Sequence, residues 1–148
     1  MSASPLHGAA VSHAGGCLLI LGRSGTGKST LALEMAGLGA GIVADDLVLL
    51  SPANGCLIAA PLRPGATVLV EARGLGLLRL PAAPPAPLRL VLDLDREEEA
   101  RLPPRRYWSH AGVSVPLLLR PARLLAAALF LALASGGPED PEALPPLR

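Results

Sequence analysis

A glycine-rich turn at residues 22–29 carries the most specific chemistry in this sequence. It reads Gly-Arg-Ser-Gly-Thr-Gly-Lys-Ser and fits the P-loop pattern G-x-x-x-x-G-K-[ST] in full. Glycines allow backbone N–H groups to close around a phosphate, because no Cβ blocks the approach. Lys28 can reach a β- or γ-phosphate, and the Ser29 hydroxyl is placed to ligate Mg²⁺. The turn therefore predicts a phosphate-binding loop with a place for Mg²⁺ at Ser29.

The stretches on either side of the turn support this interpretation. An apolar run at 17–21 predicts a strand, and a helix-forming run follows at 29–36. The N-terminus of such a helix directs its positive dipole end at the phosphate. The predicted phosphate-binding residues are Gly22, Ser24, Gly25, Thr26, Gly27, Lys28, Ser29 and Thr30.

Two adjacent carboxylates, Asp45 and Asp46, follow the next apolar run at 42–44. One could hold Mg²⁺, and the other could accept the proton of an attacking hydroxyl, since phosphoryl transfer requires positioning, charge neutralisation and a base. The pattern leaves open which of the two is the base. A solvated acidic turn is the alternative, and the position after a strand in a P-loop protein favours the functional interpretation.

Further polar groups are weaker candidates when taken alone. Glu71 and Arg73 share one face of a predicted strand, so they could look into one site or form a surface ion pair. His7 is isolated in the sequence. The arginines at 101, 105 and 106 could meet phosphate or an acidic partner, although such a run is usually a solvated loop.

Composition limits the class of protein. The 148 residues predict one domain, and 51% hydrophobic with 2% aromatic residues predicts an aliphatic core. A net charge of +1 argues against a nucleic-acid partner. Cys17 and Cys56 are expected to be buried free thiols. No signal peptide is visible and the apolar run at 124–134 is too short to span a bilayer, so we expect a cytoplasmic protein without a membrane partner.

Predicted strands outnumber helices. We expect strands at 6–11, 17–21, 42–46, 47–50, 56–60, 68–73, 77–80, 88–95 and 113–119, and helices at 29–36 and 124–134. A turn at 51–55 would form a hairpin, 96–110 a mobile loop, and Pro116 would place its strand at a sheet edge. The helix at 124–134 is apolar on every side, which predicts a buried helix or one packed on another subunit. A P-loop kinase domain at 1–134 and a proline-rich flexible tail at 135–148 complete the prediction.

Four blocks together resemble the catalytic, C-terminal domain of the bacterial HPr kinase/phosphorylase family. They are Leu-His-Gly at 6–8, the P-loop at 22–29, Val-Ala-Asp-Asp at 43–46 and Glu-Ala-Arg-Gly-Leu-Gly at 71–76. The resemblance implies an α/β fold in which the P-loop lies in mixed, partly antiparallel sheets like those of phosphoenolpyruvate carboxykinase, with few helices. It also implies ATP- and Mg²⁺-dependent phosphorylation of a serine of an HPr-like phosphocarrier, and the reverse phosphorolysis.

The resemblance implies a role for each matching position. Lys28 binds the transferring phosphate, and Asp45 and Asp46 supply the base and a metal ligand. The other implied roles are metal binding by Ser29 and Glu71, shaping of the site by Arg73, a place near the phosphates for His7, and assistance from a mobile loop by Arg101.

Departures from the family pattern qualify this implication. Thr30 stands where long members usually have glutamate, and 96–110 matches the family's loop poorly. The chain resembles the short, single-domain form of alphaproteobacteria, whose carrier belongs to a regulatory phosphotransferase system, and phosphorylase activity is the less secure half. Family members form hexamers, so a homo-oligomer is one option. The alternatives are a catalytically silent nucleotide-binding regulatory module and a small-molecule kinase on the same fold.

Overall fold

The computed structural model describes residues 4–143, which form eleven strands, two α-helices and one 3₁₀ helix. In chain order the elements are β1 Ser4–His7, β2 Ala9–His13, β3 Gly16–Leu21, α1 Lys28–Gly37, β4 Gly41–Ala44, β5 Leu47–Ala53, β6 Cys56–Pro61, β7 Thr67–Ala72, β8 Gly76–Pro81, β9 Ala86–Glu97, β10 Tyr107–His110, β11 Val113–Arg120, α2 Ala126–Ser135 and the 3₁₀ helix Pro141–Ala143.

Nine strands form one mixed sheet around the long strand β9. The order along it is β1-β5-β6-β9-β3-β2-β4, while β11 pairs with the later part of β9 and also with β10. The pairs β3–β9 and β9–β11 are parallel and the other pairs are antiparallel. Strands β7 and β8 form a separate hairpin. The predicted α/β fold with mixed sheets and few helices is confirmed.

The core is aliphatic and lies on both faces of the sheet. Alternation along β3 sends Leu18 and Ile20 into a cluster with α1 and α2, and sends Leu19 into a second cluster on the opposite face. Cys17 is buried and Cys56 half-buried, and both are free thiols. Burial raises the pKa of the Cys17 thiol to about 12, so it stays protonated. Within the described residues, no helix is long and apolar enough to cross a bilayer.

Several predicted boundaries near the site are wrong. The expected strand at 6–11 is divided into β1 and β2 at Gly8, where an added Cβ would lie 2.8 Å from the Ile20 carbonyl oxygen. The strand expected at 42–46 ends at Ala44, before both carboxylates. The hairpin turn is only Asn54-Gly55, with φ of 51° and 80°, which matches the twist of the flanking strands and lets β5 run on to Ala53.

The expected mobile loop at 96–110 is much shorter in the structure. Strand β9 continues to Glu97 and β10 begins at Tyr107, because β11 supplies a partner for each. Pro116 predicted an edge position for this strand. That prediction is wrong, because β11 has β9 and β10 as partners. Pro116 forms the last pair with β10, immediately before pairing with β9 begins at Leu117, so its missing N–H falls at the junction of the two ladders.

Helix α2 is buried on one side only. Ala126, Leu129 and Leu133 face the core, whereas Leu131 is 64% exposed, so the alternative of a fully buried helix is wrong and packing on another subunit stays a prediction. The predicted flexible tail begins in ordered structure, since the Gly137 N–H donates to the Ala132 carbonyl at 2.7 Å. The remainder of that prediction, 144–148, lies outside the described residues.

Candidate functional site

The P-loop is a closed turn between β3 and α1. Gly25 and Gly27 have φ of 86° and 99°, a conformation that favours glycine. Thr26 closes the loop, since its Oγ1 and its N–H donate to the Arg23 carbonyl oxygen at 2.7 and 3.2 Å. A Cβ on Gly22 would lie 2.6 Å from Thr26 Oγ1, so this closure requires glycine there.

The closed loop presents a set of unused donors. Within residues 4–143, no protein acceptor is hydrogen-bonded to the N–H groups of Ser24, Gly25, Gly27, Lys28 and Ser29. Lys28 Nζ folds back over the loop and donates to the carbonyl oxygens of Gly22 at 2.5 Å and Arg23 at 3.0 Å. Free N–H groups at a helix N-terminus beside an ammonium are the components of a phosphate cradle.

The two carboxylates after β4 point to different partners. Half-buried Asp45 accepts from Ser29 Oγ at 3.0 and 3.2 Å. Burial raises the pKa of the Asp45 carboxyl, the Ser29 hydrogen bond opposes this, and the Asp46 charge adds to it. Asp46 has φ of 73° and an 84% exposed side chain, whose Oδ1 lies 4.0 Å from His7 Nδ1. The Asp46 backbone carbonyl is fixed by the Gly8 N–H at 3.0 Å.

A cavity of about 460 Å³ joins these groups to the β7–β8 hairpin. Glu71, Arg73, Leu69 and Leu77 line this cavity together with the P-loop residues. The predicted residues that share this cavity are Ser24, Gly25, Gly27, Lys28, Ser29, Thr30, Asp45, Asp46, Glu71 and Arg73. His7 lies next to the site, where its Nδ1 is 4.0 Å from Asp46 Oδ1. Gly22 and Thr26 determine the shape of the loop through their close contact.

Arg101 is the predicted site residue that the structure places elsewhere. It lines a cavity of about 390 Å³ between the 98–106 loop, β11 and α2, together with Arg105 and Arg123. Its role in phosphoryl transfer stays a prediction.

Comparison with known proteins identifies the family. A family model described as the HPr Serine kinase C-terminal domain matches residues 1–83, which is more than half of the chain. The chain belongs to this HPr kinase family. The match ends before β9, so the family comparison covers the P-loop, the carboxylate pair and the β7–β8 hairpin.

Curated relatives agree with this assignment. The HPr kinase/phosphorylase of Aromatoleum aromaticum is 34% identical over 112 residues, which are 71% of this chain and 36% of that protein. That of Bordetella petrii is 44% identical over 73 residues, 49% of this chain and 24% of that protein. The chain therefore spans about a quarter to a third of the length of these relatives.

A solved structure shows the same fold. The Hpr(Ser) kinase/phosphatase from Coxiella burnetii superposes with a TM-score of 0.73 at 21% identity, covering 89% of this chain and 88% of that one. At this identity the likeness shows the fold alone.

Sequence reasoning missed one contact of the P-loop. Asp95, near the end of β9, accepts hydrogen bonds from Arg23 N at 3.0 Å and Arg23 Nε at 3.2 Å. The Arg23 N–H bond, the largest cause, holds the pKa of the Asp95 carboxyl below its usual range. The alternation of apolar and acidic residues along 92–95 was the available signal, because it places carboxylates at the end of a strand.

The donors at the site fit Mg²⁺ bound jointly with phosphate. Ser29 Oγ and the Asp45 carboxylate are adjacent hard oxygen donors. Within the described residues, no three His, Cys, Asp or Glu side chains converge to hold a metal, so Glu71 does not complete such a group. Mg²⁺ usually takes one or two carboxylates and completes its shell with waters and substrate phosphates. This chain offers such a partial set in Ser29 and Asp45.

An ion pair between Glu98 and Arg106 holds the loop that carries Arg101. Glu98, whose side chain is 6% exposed, pairs with Arg106 through both carboxylate oxygens. Burial opposes the charged form of Glu98, but hydrogen bonds from Ala100 N and Arg106 prevail and lower its pKa. Glu98→Gln is expected to lower the free energy of unfolding at pH 7 by about 1–2 kcal/mol, as measured by urea denaturation.

The pH dependence follows from the lowered pKa of Glu98. Its contribution to stability is complete above its ordinary pKa of about 4.3 and is lost as the pH falls through the lower native value. The difference between wild type and Glu98→Gln should therefore shrink as the pH falls below about 4. Glu99→Gln, at an exposed neighbour, is the control. A difference that does not shrink as the pH falls would contradict the ion-pair explanation.

Proposed function

We propose that this chain is the catalytic domain of an ATP- and Mg²⁺-dependent protein-serine kinase, 1–134, that phosphorylates an HPr-like phosphocarrier. The observation that carries the proposal is a single cavity with five free N–H groups and Lys28 on one wall and the carboxylates of Asp45 and Asp46 beside them. Membership of the HPr kinase family and the names of the relatives support the same conclusion.

The P-loop performs the phosphate binding in this proposal. The free N–H groups and the positive end of the ten-residue helix α1 receive the β- and γ-phosphates. Lys28 exchanges its bonds to the Gly22 and Arg23 carbonyls for the transferring phosphate, whose charge it neutralises. Because these donors are already in place, little reorganisation is needed when the nucleotide binds.

Ser29 and Asp45 would hold Mg²⁺, with Glu71 lining the same cavity. Mg²⁺ held there would neutralise phosphate charge during transfer. Asp45 is suited to this place because its carboxylate is half-buried, adjacent to the α1 N-terminus and already oriented by the Ser29 hydroxyl.

Asp46 is the group we assign as the base. Its carboxylate is exposed at the cavity mouth, where a serine on another protein can reach it, and His7 lies beside it. Asp46 takes the proton as the serine oxygen attacks the γ-phosphorus, and returns it when the reaction runs backwards with inorganic phosphate. Arg73 shapes the cavity wall, and Arg101 would have to reach this site from its own cavity by loop movement.

The test is direct phosphorylation of the carrier. The purified protein is incubated with ATP, Mg²⁺ and its cognate HPr-like protein, and phosphoserine is located by mass spectrometry. We expect one phosphate per carrier and none on a carrier whose target serine is replaced by alanine. ATP binding and carrier association without turnover would instead indicate a regulatory module, and ATP consumption with a hydroxyl-bearing metabolite would indicate a small-molecule kinase.

A further inference from the structure

The end of strand β9 lies directly beside the P-loop. Strands β3 and β9 pair in parallel with Leu21 opposite Asp93, so two further residues bring Arg23 level with Asp95. One oxygen of Asp95 accepts from Arg23 N at 3.0 Å and from Arg23 Nε at 3.2 Å. The Asp95 N–H in turn donates to Asp93 Oδ1 at 2.9 Å, which fixes the strand end.

Arg23 is the residue through which the loop is held together. Its carbonyl oxygen accepts three hydrogen bonds: from Thr26 Oγ1 at 2.7 Å, from Thr26 N at 3.2 Å and from Lys28 Nζ at 3.0 Å. The first two close the turn that exposes the free N–H groups, and the third holds the ammonium over it. A residue that fixes the Arg23 backbone therefore controls the whole cradle.

We propose that Asp95 is a positioning residue for the phosphate site, acting through Arg23 rather than by touching the nucleotide. The inference rests on the proposed function, because it assigns Asp95 a part in ATP binding. By holding Arg23 at its N–H and its guanidinium, Asp95 preorganises the loop before ATP arrives.

If Asp95 acted mainly on global stability, its loss would lower the free energy of unfolding. The Asp95 side chain is 33% exposed and that of Arg23 is 84% exposed, and an ion pair as exposed as this contributes little to the free energy of unfolding. The effect of losing Asp95 should therefore be concentrated in the loop. Local order of the P-loop and affinity for ATP are the quantities to measure.

The experiment compares Asp95→Ala with Glu97→Ala. Glu97 is an exposed residue of the same strand, and it pairs with Arg120 at 2.9 Å rather than with the P-loop. We expect Asp95→Ala to weaken ATP binding in Mg²⁺ about tenfold by isothermal titration. Amide hydrogen exchange at Arg23 and Thr26 should accelerate in the nucleotide-free protein. The KM for the carrier and the melting temperature should change little.

A conservative variant separates the hydrogen bond from the charge. Asp95→Asn keeps an oxygen that can accept from Arg23 N, so we expect it to recover most of the affinity, while Glu97→Ala should behave as wild type in both measurements. Unchanged ATP affinity and unchanged exchange in Asp95→Ala would overturn the inference and leave the proposed function intact. If the wild-type protein binds ATP but does not phosphorylate the carrier, the proposed kinase function is wrong. The ATP affinity and amide exchange of Asp95→Ala still test this inference in that case. No ATP binding at all would overturn both.

Discussion

Replacing Lys28 by alanine is expected to lower the rate of phosphoryl transfer by about a hundred- to a thousandfold. Lys28 Nζ lies over the loop, bonded to the carbonyls of Gly22 and Arg23, and can transfer directly to the γ-phosphate. Its charge is most useful as the phosphoryl group passes between two oxygens, so kcat should fall more than the affinity for ATP. Phosphorylation of the carrier at saturating ATP measures this.

The control for Lys28→Ala is Arg89→Ala. Arg89 is an exposed cation that bonds the Ala14 carbonyl near the other end of β3, so transfer should be unaffected. Lys28 is the only lysine in the sequence, which makes amine-directed labelling with and without ATP a probe of this side chain and the α-amino group alone. A variant with near wild-type kcat, or labelling that ATP does not slow, would contradict the role assigned to Lys28.

Asp46→Asn and Asp45→Asn are expected to fail in different ways. Loss of a general base costs about 10²- to 10⁴-fold, so Asp46→Asn should lower kcat by that range with the KM for ATP near wild type. Asp45→Asn should instead weaken ATP binding in the presence of Mg²⁺, because its carboxylate lies on Ser29 at the loop. Steady-state kinetics at several Mg²⁺ concentrations separates the two.

The same comparison can reverse the assignment of the base. If Asp45→Asn has the lower kcat and Asp46→Asn the Mg²⁺ dependence, Asp45 is the base and Asp46 the metal ligand. His7→Ala serves as a companion variant, since His7 Nδ1 lies 4.0 Å from Asp46 but contacts neither Ser29 nor the P-loop. We expect a smaller loss of kcat in His7→Ala than in Asp46→Asn.

The sequence indicated most of the polar residues that line the cavity, because most of them are local. Glycines and a following helix determine the shape of the P-loop, and both lie within about fifteen residues of one another. The hairpin turn was also predicted, since Asn54-Gly55 selects its geometry through two positive φ angles. The mixed sheet followed from the count of strands and the short connections between them.

The separation of the two aspartates could not be predicted. Their adjacency suggested one acidic pair, whereas the end of β4 at Ala44 and the positive φ of Asp46 send them to different partners. Asp46 takes this backbone because its carbonyl is bonded by Gly8, a residue 38 positions earlier in the chain. The pattern at 43–46 contains no trace of that contact.

The P-loop shows most clearly which features depend on the sequence alone and which depend on the tertiary structure. Its glycines, Lys28 and Ser29 are contiguous, so the sequence by itself determined that this protein has a P-loop motif. The anchoring of Arg23 by Asp95, 72 residues later, and the burial of Glu98 against Arg106 were decided only by the tertiary structure. Pairing of β9 with β3 and of β9 with β11 brings these groups together. The physical reason is that strand register depends on the whole sheet, whereas turn geometry depends on the residues of the turn.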